Sequence, residues 1–172
     1  MSETVDPPAP EDGKHPAGGG ALLLERLVFF SDAVFAIAIT LLVLEIKVPH
    51  LPGNATSHDF VVALAGIAPS LFAFVLSFLV IGLFWMGHHR IFAHAHTYDS
   101  RVLWPNMLFL MAIAFMPFAT AFFGANTNHF VPNLLYNLTL LGCGVLACWL
   151  AWCVARSSPS AASRVGALIR RG

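Results

Sequence analysis

The residues best able to do chemistry in this chain are the few polar ones set inside long apolar stretches. Asp32 is the foremost, a carboxylate flanked by Phe29, Phe30, Ala33 and Val34. Ser31, Trp85, His88, His89 and Asn106 stand in similar surroundings. An ionisable group within a membrane-type span is costly and marks an ion pathway, a proton relay or a helix-locking contact. Asp32 follows Arg26 by six residues, or about 600° of helical rotation and about 9 Å of rise. The two side chains point to different faces, so Asp32 needs a partner from another segment.

Depth suggests which segments. Trp85 precedes Arg90 by five residues and Asn106 follows Arg101 by five. With these arginines at one membrane boundary, both residues lie about 7–8 Å inside it, near the level of Asp32. The expectation is a polar layer that holds the first helix to the next two: Ser31 and Asp32, then Trp85 with His88 or His89, then Asn106. An unpaired carboxylate at that depth would be expensive. A neutral or hydrated Asp32 with a purely structural role is the plainer form of the same reading.

Beyond Asp32, Thr40 is the only polar side chain in residues 33–44. Ile37, Thr40, Leu41 and Leu44 recur at i, i+3, i+4 and i+7, one face of a helix. Such a stripe reads first as a packing seam. With several copies of the helix around an axis it becomes an apolar constriction, with a hydroxyl ring one turn outward of Ile37. Apolar constrictions gate by dewetting, and hydroxyls replace part of an ion's hydration shell.

Other chemistries have less behind them. His94 and His96 are two residues apart and cannot share a helix face with each other. No cysteine lies near them or near His88 and His89, so the histidines read as interfacial groups titrating near neutrality. No metal and no cofactor is expected. H-E-x-x-H and comparable motifs are absent, which argues against an enzyme. A proton-coupled transporter or proton leak through Asp32 and a histidine is the main alternative.

The elements that must carry these residues follow from composition. Hydrophobic residues make up 58% of the chain and charged residues 10%, with a mean hydropathy of +0.75. A soluble globule carries about 25% charged residues, so the apolar surplus has to face lipid. Zero net charge gives no reason to expect a nucleic-acid partner. Spans of about 20 apolar residues occur at residues 27–48, 60–87, 102–124 and 133–155. The fold class is therefore all-α, an integral membrane helical bundle with four transmembrane helices at residues 22–156. Residues 1–21, rich in Pro and Gly, read as a disordered tail, and residues 157–172 as a basic tail. Cys143, Cys148 and Cys153 are small packing residues in the last span, not a disulfide framework. Eight of the nine basic residues fall on one side, Lys47 alone on the other. By the positive-inside rule both termini face the cytoplasm.

The run Arg26-Leu27-Val28-Phe29-Phe30-Ser31-Asp32 resembles the R-x-x-x-F-S-D signature of the transmembrane protein 175 family of endosomal and lysosomal potassium channels and their prokaryotic relatives. The likeness extends through residues 33–40 and returns at Phe84-Trp85-Met86-Gly87-His88-His89-Arg90 and Trp104-Pro105-Asn106. It implies a homotetramer whose first helices line a potassium-permeable pore, without the T-V-G-Y-G filter of ordinary potassium channels. The narrowest ring would fall at Ile37, a hydroxyl ring at Thr40, and further aliphatic layers at Leu41 and Leu44. Arg26, Phe30, Ser31 and Asp32 would hold the pore helix to helices two and three. The prokaryotic likeness points to a bacterial plasma membrane. Units of that family have six helices, so this sequence reads as a shortened form or a fragment, and a non-conducting subunit is a further alternative.

Overall fold

The computed structural model describes residues 17–93, 95 and 99–157. They form α1 (Ala17–Leu44), α2 (Ser57–Gly66), α3 (Ala68–Phe92), α4 (Ser100–Ala125) and α5 (Phe130–Ser157). All but the short α2 are long and apolar enough to cross a membrane. The molecule is an all-α bundle of four spanning helices.

Both ends of the first helix differ from the sequence expectation, and the second span ends at Phe92 and not at residue 87. The first helix begins at Ala17, so residues 17–21, assigned above to a disordered tail, are helical. Extending an existing helix costs far less than starting one, and Ala21–Leu24 carries the turn back through the glycines. The same helix ends at Leu44 and not at residue 48. There Ile46 N bonds back to Val43 O at 3.2 Å, and Pro49 and Pro52 follow.

The expected single span at 60–87 is two helices that meet at Ile67, whose ψ of 1° lies outside the α region. Pro69, near the start of α3, has no amide to offer the carbonyl of Ala65, and its ring crowds that oxygen. At the other end of α2, Thr56 and Asp59 form a capping box, with Thr56 N donating to Asp59 Oδ2 at 2.7 Å. The last two helices lie within three residues of expectation. α4 keeps Pro105 and Pro117 in its interior, where neighbouring helices can serve the carbonyls they free.

α4 is the centre of the bundle and packs against α1, α3 and α5; α1 touches α3 and α4, with no α5 contact among the described residues. Directions follow from cross-helix pairs. At the middle of α1, Ser31 and Asp32 meet Asn106 early in α4 and Trp85 late in α3, while Leu24 shares a cleft with Phe92 at the end of α3 and Leu42 a pocket with Ala125 at the end of α4. Early in α5, Tyr136 stacks on Phe123 at the end of α4. Successive spanning helices are thus antiparallel, and α1 starts at the membrane side where α5 ends. Gly124 permits close approach at the far end: a Cβ there would stand 3.1 Å from both Ala73 Cβ and Ser70 Cα.

Candidate functional site

Helix α1 has two distinct faces. Leu27, Ser31, Phe35, Ala38 and Leu42 are buried, a run with the spacing of one helix stripe. This face is held by a directional chain of hydrogen bonds. Asn106 Nδ2 donates to Ser31 Oγ at 3.0 Å, and Ser31 Oγ donates to Leu27 O at 2.8 Å. With its nitrogen so used, Asn106 turns Oδ1 to His88 Nε2 at 2.9 Å. That nitrogen must therefore carry a proton and donate. Ser31, His88 and Asn106 are each buried to within 1% of complete. Phe35, Phe92 and Phe109 surround the imidazole, Phe109 stacked at 5.9 Å.

Asp32 stands outside that chain. Its Oδ1 accepts from Trp85 Nε1 at 2.8 Å, at the half-exposed edge where α1 meets α3. The indole only donates, so a proton path from Asp32 through Trp85 has nowhere to continue. Of the two histidines left open by sequence, His88 enters the core. His89 is exposed, with its ring 6.0 Å from that of Trp85. Arg26 is exposed and Phe30 is 51% exposed, so neither joins the contacts of the buried layer. His94 and His96 lie outside the described residues. No group of three or more His, Cys, Asp or Glu gathers among the described ones.

A second buried layer has little signal in the sequence. Thr120 Oγ1 lies 2.8 Å from both Ser77 Oγ and Met116 O, and Ser77 Oγ lies 3.1 Å from Tyr136 OH. Each hydroxyl has one hydrogen. All are used when Tyr136 donates to Ser77, Ser77 to Thr120, and Thr120 to the Met116 carbonyl. This layer ties α3, α4 and α5 together about 16–21 Å outward of the first, counted along α3 and α4. Three hydroxyls in apolar spans are its only trace in the sequence, a weak one because hydropathy treats them as nearly neutral.

The opposite face of α1 is uncovered. Ile37 is 58% exposed, Leu41 41% and Leu44 75%. Thr40 is exposed too, its hydroxyl turned back to Ile37 O at 2.9 Å. Phe30, Ile37 and Leu44 succeed one another every seven residues, and Arg26 continues the line toward the start of the helix. The inner polar layer thus fixes the back of α1 and leaves this stripe to face outward.

Residues 26–117 match the family of the endosomal/lysosomal potassium channel TMEM175. The chain belongs to this family. It is 37% identical over 137 residues to a potassium channel of Streptomyces collinus, covering 77% of this chain and 65% of that one. A potassium channel of Chamaesiphon minutus is 45% identical over 104 residues, 60% of this chain and 51% of the relative. The mouse endosomal/lysosomal proton channel TMEM175 is 34% identical over 100 residues, 55% of this chain and 20% of that protein. Among solved structures, the lysosomal potassium-selective channel TMEM175 homolog from Chamaesiphon minutus superposes with a TM-score of 0.69 at 35% identity, over 87% of this chain and 80% of that one. The chain spans half to two thirds of the length of the two bacterial relatives. The TMEM175 match takes in most of α1, all of α2 and α3, and most of α4, and so includes the inner polar layer and the uncovered stripe.

Proposed function

We propose that this chain is a subunit of a cation channel that passes potassium, and that copies of α1 line the pore. The observation that carries the reading is the division of α1 into a face locked by hydrogen bonds and a face left bare. A helix exposed only to lipid has no need of so firm a hold on one side. A helix that must present a fixed stripe to its symmetry mates does. Ile37 then forms the narrow ring, Thr40 the hydroxyl layer, and Leu41 and Leu44 the outer aliphatic layers. Ser31, Asn106, His88 and the Asp32–Trp85 pair hold that stripe in register. Four copies around one axis form the assembly, in a bacterial plasma membrane with both termini in the cytoplasm. The ion-bearing path carries no enzymatic step.

Proton conduction is the second reading, favoured by the mammalian relatives named as proton channels. Against a side-chain relay in this chain, Asp32 and His88 lie in separate hydrogen-bonded sets. The test is ion flux from liposomes holding the purified chain, with potassium, sodium and proton gradients measured in turn, beside Ile37→Ala. Passive flux that favours potassium and changes with the substitution supports the channel. Proton flux alone supports the second reading. No flux from well-inserted protein rejects both.

A further inference from the structure

On the membrane side where α1 begins, a cleft of about 490 Å³ opens between α1 and the end of α3. Leu24, Val28, Phe29 and Phe92 give it an apolar wall, and Glu25 and Asp32 are its acids. The two carboxylates are seven residues apart, two helical turns or about 10 Å along one side of α1. A pair of acids beside apolar surface calls for a partner that combines cations with branched aliphatic groups.

The chain itself carries such a segment. Residues 158–172 follow the end of α5 and hold Arg164, Leu168, Ile169, Arg170 and Arg171, with no Asp or Glu. We propose that residues 164–172 occupy the cleft, Leu168 and Ile169 against its apolar wall and the guanidiniums of Arg170 and Arg171 on Glu25 and Asp32. α5 ends on the same membrane side as the cleft. Both α3 and α4 touch α1 and α5, so the path crosses one helix. Fifteen residues reach up to about 50 Å when extended, against about 20–35 Å for two or three helix diameters. The other terminal segment is unsuited by charge: residues 1–16 hold Glu3, Asp6, Glu11 and Asp12 against a single Lys14. The docked segment covers the Asp32 edge of the contact between α1 and α3.

The experiment uses the full chain in lipid nanodiscs, with Arg170→Lys and Arg171→Lys supplying amines, and a zero-length carbodiimide that joins carboxylate to amine with loss of water to the reagent. Mass spectrometry should find the introduced amine at position 170 or 171 linked to Glu25 or Asp32 of the same chain. Glu25→Gln should remove the Glu25-linked peptide, and high salt should weaken the linkage. Links confined to Glu3, Asp6, Glu11 or Asp12 would overturn the proposal. So would heavy–light links in isotopically mixed samples, which assign the segment to a neighbouring copy. An absence of links in intact protein would leave the segment on the lipid surface and equally reject it. None of these outcomes depends on ion flux, so the channel reading stands or falls separately.

Discussion

Asn106 and Ser31, 75 residues apart in the chain, share a buried hydrogen bond of 3.0 Å that ties α4 to α1. The same amide receives His88 from α3, so one side chain joins three helices. Its amide nitrogen donates to α1 and its amide oxygen accepts from α3. Asp32, the more conspicuous residue in the sequence, makes a single hydrogen bond among the described residues, to Trp85 at the edge.

That difference sets an order of severity. Asn106→Leu strands the His88 Nε2–H in the core, at about 1–3 kcal/mol, and removes the donor to Ser31 while the Ser31 bond to Leu27 O remains. Asp32→Asn keeps an acceptor for Trp85 at a half-exposed site and should cost about 1 kcal/mol or less. Thermal unfolding in detergent, with the yield of assembled protein, should rank Asn106→Leu well below Asp32→Asn. The reverse ranking would make Asp32 the main anchor.

The outer layer makes a similar comparison. Tyr136→Phe removes the first donor of its chain and leaves Ser77 able to donate to Thr120, a loss of about 1 kcal/mol. Thr120→Val removes the acceptor for the Ser77 hydrogen and leaves Tyr136 as the one hydroxyl beside Ser77, which should cost about 1–3 kcal/mol. Unfolding of both variants beside the unaltered chain checks the order. Equal losses would mean that the hydrogens run differently from the sequence Tyr136, Ser77, Thr120, Met116.

Gly124 sits where α4 meets the start of α3. Even an alanine there must move Ser70 or Ala73 by a few tenths of an ångström, since its Cβ would stand at 3.1 Å. Gly124→Val adds branches that have no room and should destabilise by about 1–3 kcal/mol through overpacking. Gly142, with nothing within 4 Å of its Cβ position, is the control: Gly142→Ala should leave the melting temperature unchanged or raise it.

The spans are legible in the sequence because apolar length is a strong signal, and α4 and α5 fall within three residues of their expected ends. The break at Ile67 is not. Hydropathy runs straight through it, and a proline such as Pro69 is compatible with an unbroken membrane helix. The inner layer is legible from depth, because Ser31, Trp85, His88 and Asn106 can all be counted from arginines at one boundary. Which histidine turns inward depends on the azimuth of α3 against two neighbours, and counting residues does not supply that. Arg26 and Phe30 belong to the same short motif as Ser31 and Asp32, yet 100° per residue sends them to the bare face. The hydroxyls of Ser77, Thr120 and Tyr136 escape a depth count that picks out only strongly polar groups.

The central claim is that the bare face of α1 lines an ion path. A cysteine scan of that helix tests it most directly, in a chain whose Cys143, Cys148 and Cys153 have been replaced by alanine. Single cysteines go at Ile37, Thr40, Leu41 and Leu44, with Ala36, Ile39 and Val43 as controls from other directions. Potassium flux from liposomes is read before and after a charged thiol reagent. Loss of flux at the first four positions and its persistence at the other three is the expected result. Block at Ala36 and Val43 with the stripe unaffected would contradict the account, because the path would then run along a different face of the helix.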